Sequence, residues 1–126
     1  MALIWHLALT ADWEAAQATG SYAISTRGLT LGQVGFIHCS YAPQVTGVAR
    51  RFYADETAPL TLLGMDTDRL AAEGIEVRAE PGDPAHSEGE RFPHVYGAVP
   101  VGAVAETHAA RIRDGELVAP SWMVRG

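Results

Sequence analysis

The stretch Leu60-Thr61-Leu62-Leu63-Gly64-Met65 constrains the fold more than any other part of the chain. It is apolar without a period, bounded by Pro59 and Asp66, and too short for a buried helix. Such a run reads as a strand covered on both faces. A strand of that kind needs neighbours on each edge and a layer on each side, so it belongs at a sheet centre. The 126 residues, 48% of them apolar and 19% charged, suffice for one core of globular type, and we expect one domain over 1–126.

The other elements can be set around that centre. Leu3 to Leu9 is an apolar run broken by His6 and reads as a buried first strand. Thr10 can cap the helix that follows, with Asp12 and Glu14 near its positive end, Trp13 and Ala16 facing inward and Gly20 as the stop. Ser21 to Ser25 is a second short strand, and Thr26 to Gly32 a loop. Val34 to Cys39 reads as a strand in which Phe36 and His38 share one face and Ile37 and Cys39 the other. Ser40 is placed to cap a helix running to Tyr53, with Pro43 tolerated in its first turn and Val45, Val48, Ala49 and Phe52 on its core side.

Beyond the central run, Asp66 or Thr67 caps a short helix ending near Gly74. Ile75, Val77 and Ala79 alternate with Glu76, Arg78 and Glu80, a strand with one wet face. Pro81 to Glu90 is charged and holds two prolines and two glycines, the pattern of a lid-like loop. Pro93 makes Phe92 to Gly97 either an edge strand or an irregular ledge. Val101 to Ile112 is a strand, turned by Asp114-Gly115 onto Glu116 to Val118. Six or seven strands and two or three short helices in mixed order predict an α+β fold with a mainly antiparallel sheet.

Composition limits the function. Nine basic residues against fifteen acidic ones leave a net charge of −6, which works against general nucleic-acid binding. A local basic patch from Arg50, Arg51, Arg111 and Arg113 competes with the reading of solvated arginines. A single cysteine permits no internal disulfide. No signal-like or membrane-length run is seen, so a cytoplasmic protein without membrane attachment is expected.

His6, His38 and His94 lie in apolar, aromatic contexts, whereas His86 and His108 read as loop and surface residues. Imidazole donates, accepts and titrates near neutral pH, which suits proton transfer or ligand orientation; each can equally be a satisfied structural histidine. No pair of ligands has metal-binding spacing, so no metal is expected. Cys39 adjoins His38 but points to the opposite strand face, as an inert buried thiol would. Glu80 and Glu90 flank the lid segment and are the general-base candidates. Neither a phosphate loop of the GxxxxGK type nor GxGxxG is present.

At these residues the chain resembles a family of short, mainly bacterial proteins, domain-of-unknown-function family 952. The resemblance is carried by Ile4-Trp5-His6 with Trp13, then Gly35-Phe36-Ile37-His38 with Ser40, Gln44 and Arg51-Phe52-Tyr53. It continues through Leu62-Leu63 with Asp66 and Leu70, and closes at Phe92-Pro93-His94-Val95-Tyr96-Gly97. More distantly the order of elements is similar to the ADP-ribosyltransferase superfamily. That likeness implies an NAD-cradling fold, with His6 in the first-strand position and His38 where those enzymes carry a tyrosine. Their catalytic glutamate belongs near Phe92 to Tyr96; here Glu90 is displaced and His94 stands in its place.

Together these readings predict a cleft lined by His6, Ser25, His38, Ser40 and His94, with Thr26, Gln44, Arg51 and Tyr96 also available to a ligand. The ligand class is a nucleotide, NAD or another phosphorylated small molecule. In an enzyme, His38 would transfer the proton, His6 would orient the ligand, and His94 or Glu90 would be the second acid or base. Two rivals stand beside it: a non-catalytic interaction module with a vestigial cleft, acting through protein contacts such as a homodimer, and an isomerase or hydrolase running on paired histidines.

Overall fold

In the computed structural model, which describes residues 2–82, 89–120 and 122, the chain opens with strand β1 (Leu3–Leu9), helix α1 (Thr10–Thr19), β2 (Ser21–Tyr22) and β3 (Ile24–Thr26). It continues with β4 (Leu29–Thr30), α2 (Leu31–Val34), β5 (Ile37–His38), a 3-10 turn (Ala42–Gln44) and α3 (Val45–Phe52). Then come β6 (Leu60–Asp66), α4 (Thr67–Ala72), β7 (Glu76–Pro81), β8 (Arg91–Tyr96) and β9 (Val99–Pro100). A second 3-10 turn (Val101–Ala103), β10 (Val104–Arg113) and β11 (Glu116–Val118) complete the order. It is a mixed α+β fold, and its named strand pairs are antiparallel.

The apolar run does sit at a sheet centre. In the four-stranded sheet β1-β6-β10-β11, β6 pairs with β1 from Leu3↔Asp66 to Leu9↔Leu60, and with β10 on its other edge. All seven of its residues are buried. The reason lies in its alternation: Leu63 and Met65 join a core with Ile4, Trp13, Ile37 and Val95, while Leu60 and Leu62 join one with Trp5, Val48, Tyr53 and Phe92. With oily layers on both sides, its two polar side chains are buried as well and are hydrogen-bonded, Thr61 to the Thr10 hydroxyl and Asp66 to N–H groups of the following helix. Gly64 is required there, since a Cβ would lie 2.9 Å from the Trp5 ring.

A three-stranded sheet β5-β8-β7 stands beside the first and is tied to it by the bridge Trp5↔Ser40. Pro93 therefore lies in a central strand, contrary to the edge or ledge expected of it. The ladder tolerates it because the β5 partner spans two residues: pairing ends at His38↔His94, and the Pro93 carbonyl still accepts from Cys39 N–H at 3.1 Å.

Local chemistry holds in other places. Gly20 ends α1 in the left-handed region, its N–H on Ala16 O at 2.7 Å. The Asp66 carboxylate caps α4 through the N–H groups of Asp68 and Arg69. Asp114 and Gly115 both have positive φ, 53° and 78°, as a two-residue hairpin turn requires. No described helix is long and apolar enough to cross a membrane.

Four expectations are corrected. Ser40 caps no helix: its backbone exchanges hydrogen bonds with Trp5, and α3 starts later, after Gln44 Oε1 has accepted Tyr41 N–H. Thr10 caps nothing either, its hydroxyl being shared with Thr61 at 2.8 Å. Residues 26–36 are a small hairpin and one capped helical turn, so the loop and the start of the next strand were misplaced. Phe52 is 47% exposed, outside the core face of α3. Eleven strands and four α-helices are described where fewer were expected, because two-residue ladders have no periodicity to read. Most of the expected lid, residues 83–88 with His86, lies outside the described residues.

Candidate functional site

Alternation along β8 puts Phe92, His94 and Tyr96 on one face and buries Val95 on the other. On the same face, β5 contributes His38 directly opposite His94, and β7 contributes Arg78 opposite His94 and Glu80 opposite Phe92. Strand pairing thus gathers two histidines, a carboxylate, a phenol and a guanidinium from three remote parts of the sequence.

Their contacts form a chain. Glu80 Oε1 accepts from the Tyr96 hydroxyl and, at 3.0 Å, from His94 Nδ1. His94 Nε2 lies 3.3 Å from His38 Nδ1. Phe36 stacks flat on His94, centroids 3.9 Å apart, and Arg78 sits 4.4 Å from the centroid of the Tyr96 ring. The hydrogen bonds from Tyr96 and then His94 hold the Glu80 carboxyl below its usual range; the same bond to Glu80 pushes the Tyr96 phenol up. Burial, with the nearby His94 and His6, lowers His38 to about 4. Its backbone N–H donates to Ser25 Oγ at 3.3 Å. His38 Nε2 is the one buried side-chain nitrogen or oxygen without a hydrogen-bond partner among the described residues.

His6 joins the same group in a different capacity. Its Nδ1 donates to the His38 carbonyl at 2.7 Å, leaving Nε2 to accept from the Tyr22 hydroxyl at 2.8 Å. Burial lowers it to about 4 despite the bond to the carbonyl. Both ring nitrogens are occupied, so His6 fastens β1 to β5 instead of presenting a nitrogen to a ligand.

Two hollows adjoin His38. A cavity of about 10 Å³, near the lower limit for one water molecule, is bordered by His6, Ser25, His38 and Ser40. A cleft of about 480 Å³ opens beyond it, walled by Phe36, Phe52 and Phe92, with Ser25, Thr26, His38 and Arg51 as polar lining. Gln44 and Glu90 lie elsewhere, in a groove of about 210 Å³. There Gln44 Nε2 donates to Glu90 Oε2 at 3.0 Å and to Arg91 O at 2.8 Å. Glu90 is accordingly not the carboxylate of the histidine pair; Glu80 is. Arg51 lines both this groove and the cleft, whereas Arg50 is spent on Glu116 at 2.9 Å.

Cys39 is buried on the core face, and burial pushes its thiol up. Among the described residues no group of three His, Cys, Asp or Glu could hold a metal ion. Sequence reasoning missed Phe36 as the plate under His94, Tyr22 as the partner of His6, and Phe52 and Phe92 as cleft walls. Period-two spacing of Phe36 with His38, and of Phe92 with His94, was the available signal for two of these; Tyr22 offered none.

Comparison with known proteins places this architecture. The chain is similar to protein CC0527 from Caulobacter crescentus: its crystal structure is 28% identical, with a TM-score of 0.72, covering 92% of this chain and 93% of that one. The solution structure of the same protein is 27% identical, with a TM-score of 0.70, covering 92% and 91%. No match is found among functionally curated proteins. The model of a family described as "protein of unknown function (DUF952)" matches residues 7–107, which include every residue of the Glu80–His94–His38 chain, and this protein belongs to that family.

Proposed function

We propose that the cleft beside His38 binds a small phosphorylated molecule with a flat ring, of the nucleotide class. The carrying observation is the composition of its walls. Three aromatic side chains, Phe36, Phe52 and Phe92, line a cleft of about 480 Å³ whose polar groups include one arginine and one imidazole. That volume lies in the range of small-molecule sites, roughly 300–1,000 Å³. Aromatic faces suit a base, and the guanidinium of Arg51 suits a phosphate through paired N–H donors. NAD, which the distant likeness to ADP-ribosyltransferases implies, is the first dinucleotide to test.

Transfer of ADP-ribose finds less support than binding. Such chemistry needs a carboxylate beside the ribose to stabilise developing positive charge. The described cleft lining contains none, because Glu80 is engaged by His94 and Tyr96 and Glu90 faces the other groove. The same observation favours the second reading, a binding module without catalysis.

Melting temperature measured with AMP, NAD and ribose 5-phosphate tests the binding. A ligand at a hundred times its Kd adds about 2.7 kcal/mol, a rise of several degrees for a domain of this size. Arg51→Ala should remove the rise for phosphorylated ligands, and His38→Ala should weaken it. A parent protein that melts unchanged across the panel sinks the proposal.

A further inference from the structure

The hydrogen bonds at the sheet face determine more than where the side chains sit; they determine where the protons are. Glu80 Oε1 receives two donors, the Tyr96 hydroxyl and His94 Nδ1. A carboxylate can only accept, so the hydrogen of the second bond belongs to His94 Nδ1. A neutral His94 with its proton there has a lone pair at Nε2. The hydrogen between the two imidazoles, 3.3 Å apart, then belongs to His38 Nδ1. A neutral His38 carries no second proton, so its Nε2 is a lone pair. That is the buried nitrogen the described protein leaves without a partner.

We infer that Glu80 and His94 are positioning residues which lock His38 in the Nδ1–H tautomer, making its Nε2 the general base toward a hydroxyl group of the molecule bound in the cleft. In the step itself the ligand O–H bond breaks, its electron pair stays on oxygen, and an N–H bond forms at His38 Nε2. The Nδ1 proton of His38 passes to His94 Nε2, so the positive charge ends on His94 beside the Glu80 carboxylate. Charge and proton number are conserved along the relay. Phe36, stacked 3.9 Å from His94, keeps that ring in plane with both partners. A hydroxyl is the matching substrate group because a lone pair at Nε2 selects a donor, and a hydroxyl changes its reactivity on losing the proton.

The tautomer is independent of any ligand, whereas the hydroxyl step rests on the cleft reading given above. The test separates them. In 15N-labelled protein near neutral pH, His38 should show a pyrrole-type Nδ1 and a pyridine-type Nε2. In Glu80→Gln, whose amide can donate to His94 Nδ1 as well as accept from it, the preference should fall about tenfold, the factor of one charge-assisted hydrogen bond. A protonated Nε2 in the parent, as follows if His94 carries both protons against Glu80, overturns the inference without need of any variant. So does an unchanged tautomer ratio in a folded Glu80→Gln protein.

For the hydroxyl, AMP should shift the His38 Nε2 resonance and 2′,3′-dideoxy-AMP should not, with both raising the melting temperature. Equal Nε2 shifts from the two ligands would overturn the substrate assignment. If neither nucleotide raises the melting temperature, the cleft reading fails and the hydroxyl step with it; the tautomer measurement still decides the relay.

Discussion

Mild acid should unfold this protein through its histidines before its carboxylates titrate. His6 is 3% exposed, and burial lowers it to about 4; His38 is lowered to about 4 as well. In the unfolded chain both return to 6.5. Between those values the unfolded state binds more protons, so stability rises with pH there. The contribution of the two depressed groups is complete above pH 6.5 and drains away as pH falls toward 4. From neutral pH to about pH 4.5 the loss is about 2 kcal/mol for each histidine, or about 4 kcal/mol together. Against a total stability of about 5–15 kcal/mol, that decides whether the protein stays folded.

The window is separable from ordinary acid denaturation. Glu56, Glu76, Glu80 and Glu116 are also held below their unfolded value, but that value is 4.5, so most of their contribution is lost below it, past the larger part of the histidine window. Urea titrations at intervals between about pH 7 and about pH 4.5 measure the slope. His38→Gln removes one titrating ring and should halve it. A midpoint that stays constant down to about pH 5 would refute the argument that these rings are buried neutral.

Other expectations are more local. Gly64→Ala forces a Cβ to within 2.9 Å of the Trp5 ring in the central strand and should cost about 1–3 kcal/mol, read as a lower melting temperature. An unaltered melting temperature would show that Trp5 moves freely, against its packing. Asp66→Ala deletes the acceptor for two N–H groups at the start of α4 and should cost about 1 kcal/mol, seen as a lower urea midpoint with the same slope. Cys39, buried with its thiol pushed up, should resist alkylating reagents in the native protein and react only as fast as the chain unfolds. Rapid labelling of folded protein would contradict its place in the core.

The amino-acid sequence alone determined those features whose causes are local. The unbroken apolar run became β6 because every residue of it can be buried. Gly20, Asp66 and Asp114-Gly115 ended, capped and turned the chain through their own backbone and side-chain chemistry. The shared face of Phe36 and His38 followed from the two-residue period of a strand, and three histidines flanked by aromatics marked the region of interest.

Long-range register decided the remainder. Whether Glu80 or Glu90 meets His94 depends on how β7 pairs with β8, a pairing across a connection whose local pattern carries no register. Pro93 entered a central strand because β5 is two residues long, and Ser40 gave up its expected cap because Trp5 claimed its backbone. The division between the histidines is likewise tertiary. Three similar rings in similar apolar contexts ended with different partners: His6 bonds Tyr22, His94 bonds Glu80, and His38 keeps one buried nitrogen without a partner among the described residues. Side-chain identity says which hydrogen bonds a residue can make; only the packed chain says which it must.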